Sequence, residues 1–250
     1  MIAQVRYHTM GLTHEGCVRK NNEDAHLLRD EVGLWIVADG MGGHDRGEVA
    51  STSIVDAIST LDLNGDLYGN IALIESSLRG VNTALCDLAE VAGDRIGSTV
   101  VVLHIDGLKF ACLWAGDSRI YRLRGDVLEQ MTRDHTQVQD LIDHGLLSPA
   151  EAKGHPMSHV VSRCIGIERA FEAETIIGDL GVSDIFLLCS DGLSGMVSDD
   201  EISARLIEVG SRQACRQLLE LAISRGAPDN VTLVTVACEE MTALVLPQGA

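Results

Sequence analysis

Short apolar runs rich in β-branched residues recur at residues 33–38, 98–105, 108–115, 118–124, 184–189 and 231–237, each bounded by turn-forming residues. They read as strands. Several, such as Val100-Val101-Val102-Leu103, are apolar at both alternating positions, which requires cover on both faces of a sheet. Asp106-Gly107 and Arg124-Gly125-Asp126 fall between such runs as tight turns, so neighbouring strands are expected to be antiparallel. Ile71, Ile74, Leu78, Val81, Leu85 and Leu88 repeat at helical spacing and predict one long amphipathic helix. Weaker stripes predict helices over 47–61, 137–144, 201–209 and 212–224. Strand blocks alternate with helix pairs rather than with single crossover helices, which favours α+β layers over a doubly wound parallel sheet. Residues 145–164 are the one long irregular stretch. Gly145, Ser148-Pro149, Gly154 and His155-Pro156 break regular structure there, and Leu146, Leu147, Met157, Val160 and Val161 give it apolar contact surface, so a mobile flap that touches protein substrates is expected.

Composition narrows the function classes. With 250 residues, 46% of them hydrophobic, the chain can bury a real core as a single domain, 1–250. A net charge of -18 repels phosphate backbones and anionic lipid, so neither nucleic acid nor a membrane surface is an expected partner. No stretch has the apolar length of a signal peptide or a membrane span, and a soluble, cytoplasmic, monomeric protein is expected. The seven cysteines are scattered without a C-x-x-C pair. Cys112, Cys189 and Cys238 sit in apolar runs and read as small buried hydrophobes.

Candidate chemistry lies in four acidic clusters at the ends of apolar runs: Arg19 to Asp24, Asp39-Gly40-Met41-Gly42-Gly43-His44, Ser190-Asp191-Gly192 and Asp229-Asn230. Carboxylates at strand ends can converge from distant parts of a sequence onto one rim, and hard cations need such oxygens. A single Asp-Gly is most simply a turn, as Asp106-Gly107 illustrates. Asp39-Gly40 differs because it follows a buried strand and leads into a run of glycines that lets backbone approach a cation or a phosphate. Asp62-Leu63-Asn64-Gly65-Asp66 begins like a calcium loop but has Leu67 and Leu73 where glycine and glutamate are required, so it reads as a surface turn. His155 and His159 have i, i+4 spacing, but Pro156 opposes a helix there. Asp134-His135-Thr136 reads as a capping turn before a helix.

Six motifs occur in order: Arg19-x-x-x-Glu23-Asp24, Asp39-Gly40-Met41-Gly42-Gly43-His44, Gly97-Ser98-Thr99, Gly116-Asp117-Ser118-Arg119, Ser190-Asp191-Gly192 and Asp229-Asn230-Val231-Thr232. From about Gly11 to Val236 the chain resembles the bacterial stand-alone form of the type 2C family of metal-dependent protein serine/threonine phosphatases. The resemblance implies a four-layer α-β-β-α sandwich, two antiparallel sheets flanked by helix pairs, with Mn²⁺ or Mg²⁺ at one end of the sheets. It implies that Asp39 bridges two ions, that the Gly40 carbonyl, Asp191 and Asp229 complete their protein ligands, and that Asp117 joins Asp191 at a third, weaker site. Glu23 and Asp24 would hold metal-bound waters, and Arg19 would bind the phosphoryl group of phosphoserine and phosphothreonine proteins. Attack by a metal-bridged hydroxide needs no phosphoenzyme, and the chain has neither a G-x-S-x-G elbow nor a C-x5-R loop. By the same analogy a Ser/Thr protein kinase would be the opposing partner. Many eukaryotic relatives have histidine where this chain has Met41, which leaves protonation of the leaving oxygen unassigned, and His44 reads more simply as a solvated turn residue. A catalytically silent binding module would need a broken metal set, whereas Asp39, Asp191 and Asp229 are all present.

Overall fold

The computed structural model describes residues 4–42, 46–152, 155–157, 160–181 and 183–241. Eleven strands form two sheets. One has the order β1 (Gln4–His14), β11 (Val231–Met241), β10 (Ile185–Cys189), β7 (Arg119–Arg124), β8 (Val127–Gln130). The other has the order β2 (Asp24–Arg29), β3 (Leu34–Gly42), β5 (Val100–Asp106), β6 (Lys109–Ala115), β9 (Glu174–Asp179), with the short β4 (Ile96–Ser98) also on β3. Every pairing is antiparallel. The expected hairpins form at Gly107 and Gly125, whose φ of 57° and 58° suits residues without a Cβ.

The two-sided apolar runs have a direct cause. Along β3, Leu34, Ile36 and Ala38 pack under α1 (Arg46–Ser59) and α2 (Leu67–Ala92), while Trp35 and Val37 point to the other sheet. Along β10, Leu187 and Cys189 face α5 (Asp191–Ser194) and α6 (Asp199–Ser224), while Phe186 and Leu188 meet the inner face of the β2-β3-β5-β6-β9 sheet. Three cores therefore separate four layers, α-β-β-α, as expected. Cys112, Cys189 and Cys238 are buried within them.

Local signals explain most element ends. Asp66 caps α2 by accepting from the Gly69 N–H at 2.9 Å, so the calcium-like turn is the cap of this helix. The helices expected at 201–209 and 212–224 form one stretch, α6, broken at Gly210, which has φ 73°. A capping box of Ser198 and Glu201 starts it.

Three expectations need correction. Leu88, placed on the apolar stripe of α2, is 43% exposed, since at that turn Leu85 and Ala89 are the residues that pack against the core. The stretch 145–164 is not wholly irregular: it contains the one-turn helix α4 (Pro149–Ala152), and Val161 makes a bridge to Thr136, just before α3 (Gln137–Asp143). The strand expected over 98–105 is two strands, because the chain kinks at Thr99. His44 of the glycine turn, and Gly154, Ser158 and His159 of the expected flap, lie outside the described residues. Among the described residues no helix is long and apolar enough to cross a membrane.

Candidate metal centre

Antiparallel pairing sends alternate strand ends to the same side of the molecule, and every motif residue sits at one of these ends. Asp39 lies near the end of β3, and its cross-strand partner is Asp24 at the start of β2. Asp117 lies in the β6–β7 link, Asp191 just after β10 and Asp229 just before β11. Arg19 and Glu23 come from the β1–β2 connection. All eight sequence-predicted positions, Gly40 included, therefore gather on one rim.

Backbone around the rim is tied by short polar side chains. Thr99 donates its N–H to the Asp39 carbonyl at 2.9 Å and accepts the Asp39 N–H on Oγ1 at 3.3 Å. The same hydroxyl lies 2.7 Å from Ser118 Oγ, which joins the Asp39 strand to the Asp117 link. Ser190 Oγ donates to Asp24 Oδ2 at 2.8 Å and accepts from the Thr232 N–H at 3.0 Å. Asn230 accepts the Glu23 N–H and donates to the Glu15 and Asn21 carbonyls, which fastens the Arg19 segment to the head of β11. Glycines permit the close approaches: a Cβ on Gly40 would stand 2.1 Å from the Gly47 carbonyl oxygen, and one on Gly192 1.9 Å from that of Asn230.

Sequence reading missed the part played by Asp134 and His135. Thr136 does cap α3, accepting from the Gln139 N–H, but its two predecessors hold the residues flanking Asp117, Asp134 through Arg119 and His135 through Gly116. Asp134 takes three hydrogen bonds from the Arg119 guanidinium at 2.7 to 3.1 Å. Buried His135 accepts the Gly116 N–H on Nδ1 at 3.1 Å, and its own N–H donates to the Gly116 carbonyl. Its ring stacks on Trp114, and Nε2 lies 3.1 Å from Glu174 Oε1 without the alignment of a hydrogen bond. Burial holds the imidazole below its usual pKa, so the neutral form is favoured. The available signal was the spacing of Asp134-His135 after Gly116-Asp117-Ser118-Arg119, which no local rule interprets.

Electrostatics show what the rim lacks. Burial raises the Asp39 carboxyl well above its usual range, and Asp24, Asp191, Asp117 and Asp229 push it further. Asp24 and Asp117 are each pushed up to about 7, first by burial and then by neighbouring carboxylates, against the hydroxyls on Asp24 and Arg119 beside Asp117. Asp24 Oδ1 is buried without a hydrogen-bond partner among the described residues. A cation answers all three observations, because it neutralises the cluster and engages an otherwise orphaned oxygen. The donors are carboxylate and carbonyl oxygens, the set preferred by Mg²⁺ and Mn²⁺. Among the described residues no three His, Cys, Asp or Glu side chains close on one ion by themselves, so carbonyl or water oxygens would have to complete any coordination. Arg19 stands at the mouth, donating to Asp229 Oδ2 at 2.7 Å with the guanidinium side chain 53% exposed.

Comparisons with known proteins agree with this arrangement. The family model for protein phosphatase 2C matches residues 17–221. The serine/threonine protein phosphatase PstP of Mycobacterium tuberculosis is 38% identical over 224 residues, covering 88% of this chain. The chain spans 42% of that relative's length. A solved structure of PppA, described as a key regulatory component of the T6SS in Pseudomonas aeruginosa, is 38% identical with a TM-score of 0.86, covering 95% of this chain and 100% of that one. The solved catalytic domain of PstP in complex with two manganese ions is 34% identical with a TM-score of 0.84, covering 94% and 100%. With the family model matching residues 17–221 and relatives 38% identical over most of its length, this chain belongs to the protein phosphatase 2C family.

Proposed function

We propose that the chain is one catalytic domain that hydrolyses phosphoserine and phosphothreonine in proteins, with the carboxylate rim as its metal centre. The observation that carries this reading is the convergence of four aspartates, Asp24, Asp117, Asp191 and Asp229, on buried Asp39, each raising its proton affinity. Carboxylates gathered in this way repel one another unless a cation lies among them. Asp39, the Gly40 carbonyl, Asp191 and Asp229 would hold two Mn²⁺ or Mg²⁺ ions, and the two manganese ions of the PstP domain support that number. Asp117 with Asp191 would hold a third. When bound, such ions lower the pKa of coordinated water and neutralise charge on a phosphoryl group.

The chain's own residues orient the reactants. Glu23 and Asp24 would hold ordered water beside Asp39, and Ser190 fixes the Asp24 carboxylate by its hydrogen bond to Oδ2. Arg19 presents a planar fork at the mouth, matched to two phosphoryl oxygens. Met41 carries no titratable proton and packs near Cys164, with the sulfurs 3.9 Å apart, so it cannot protonate the leaving group. Phosphoproteins of this kind are made by a Ser/Thr kinase, which is the opposing partner in this reading.

The test is phosphate release from p-nitrophenyl phosphate and from phosphothreonine and phosphotyrosine peptides, with Mn²⁺ and then with excess chelator. Turnover of the phosphothreonine peptide that requires Mn²⁺ and stops with chelator is expected. Chelator-insensitive turnover would contradict the metal centre.

A further inference from the structure

Beside the rim lies a cleft of about 1270 Å³ that begins at Met41 and Gly42 and is lined by five arginines, Arg79, Arg95, Arg133, Arg163 and Arg169, set among a larger number of carboxylates. In a chain of net charge -18, the state of these arginines decides what the cleft can bind. Most are already compensated. Arg79 pairs with Glu75 at 3.7 Å, Arg133 with Asp143, Arg163 with Glu174 at 3.0 Å, and Arg169 with Asp87 and Glu90 at 2.8 Å. Arg95 differs, since among the described residues its guanidinium has no carboxylate partner. The adjacent carboxylate is engaged elsewhere: Asp94 Oδ2 accepts from Arg46 at 3.2 Å, and Asp94 Oδ1 accepts the backbone N–H of Arg95 at 2.8 Å. The backbone at Arg95 is firmly placed. It immediately precedes Ile96, the register partner of Gly42, and its carbonyl oxygen lies 3.2 Å from where a Gly42 Cβ would stand.

We propose that Arg95 is a specificity-determining residue that binds an anionic group on the substrate, two to four residues from the phosphorylated one. The inference rests on the phosphatase reading above and adds a sequence preference to it. Gly42 is two residues beyond Gly40, roughly 7 Å along a strand. From that distance an arginine side chain would reach an anion carried about two to four extended residues from the phosphorylated one. Both a glutamate side chain and a second phosphoryl group supply that anion, and both suit a guanidinium. Because Arg95 is exposed and distant from the reacting atoms, it binds ground state and transition state alike, so its effect falls on KM.

The experiment compares kcat/KM for phosphothreonine peptides flanked at two to four residues by alanine, glutamate, phosphoserine or lysine, with Mn²⁺, for the wild-type chain, Arg95→Glu and Arg95→Lys. The wild type is expected to favour the glutamate or phosphoserine peptide over the alanine peptide by about 3- to 10-fold, chiefly through KM and less so at high salt. The two acidic peptides distinguish the carboxylate from the phosphoryl source. In Arg95→Glu the ratio should fall to one or below, while Arg95→Lys, keeping the charge, should retain part of it. An undiminished ratio in Arg95→Glu, or a wild-type preference for the lysine peptide, would overturn the proposal. A wild-type chain that hydrolyses neither these peptides nor p-nitrophenyl phosphate would overturn instead the phosphatase reading beneath it.

Discussion

Asp39 is the residue on which the others depend, and its environment makes opposite demands in the presence and absence of a cation. Without one, a folded carboxyl held above its unfolded pKa binds a proton more tightly in the native state than in the unfolded chain. Stability from Asp24 and Asp117 is therefore fully present below pH 3.8 and is lost as pH rises through about 7. Metal-free protein should accordingly melt lower at pH 8 than at pH 5, by roughly 5 °C if the loss is about 2 kcal/mol. Asp39→Asn should flatten that dependence by removing one of the repelling charges. Calorimetric melting across pH checks it, and a wild-type melting temperature that rises from pH 5 to 8 would contradict the assigned shifts. Arg19 poses a different test, because its guanidinium already shares hydrogen-bonded contact with Asp229. Arg19→Ala should mainly raise KM for p-nitrophenyl phosphate, and lysine should rescue it incompletely because it lacks the planar fork. An unchanged KM in both variants would remove Arg19 from the substrate site.

Elements decide how accurately these residues meet. The Asp117 link is held by Thr99 from one side and by Asp134 and His135 from the other, and Gly116 crosses between them at φ 115°. A Cβ on Gly116 would stand 2.5 Å from the Thr99 side chain, so Gly116→Ala combines backbone strain with a clash. It should cost about 2 to 4 kcal/mol of stability, read by denaturant unfolding. Thr99→Val keeps the shape but removes the hydroxyl between Asp39 and Ser118, and should lower Mn²⁺ affinity more than it lowers stability. Equal metal affinity by calorimetric titration would show that Thr99 only packs. The same elements show what a sequence can disclose. The six apolar runs are β3, β5, β6, β7, β10 and β11, all interior strands. Of the five unmarked strands, β4 is only three residues long, and β1, β2, β8 and β9 are the sheet edges, whose residues are mostly only partly buried and so form no continuous apolar run. Strand-end aspartates were legible because motif order is a one-dimensional signal. The clamp by Asp134 and His135 was not, because its contacts cross between chain segments and no periodicity records them.

At the scale of the molecule, three cores hold two sheets face to face and leave one end free to collect acidic side chains. The fold thus carries the unfavourable charge of the rim on rigid strands, and a cation should return part of that cost. Added Mn²⁺ should raise the melting temperature more at pH 8 than at pH 5, since protons compete with metal for the same oxygens. Equal stabilisation at both values would place the bound ion elsewhere. The central claim is that this rim, through its metal ligands, hydrolyses phosphothreonine. It is tested most directly by measuring phosphate release from a phosphothreonine peptide at saturating Mn²⁺ for the wild-type chain and for Asp191→Asn. The account predicts Mn²⁺-dependent turnover in the wild type and a loss on the order of 100-fold or more in the variant, which stays folded by circular dichroism; wild-type turnover in Asp191→Asn would contradict it.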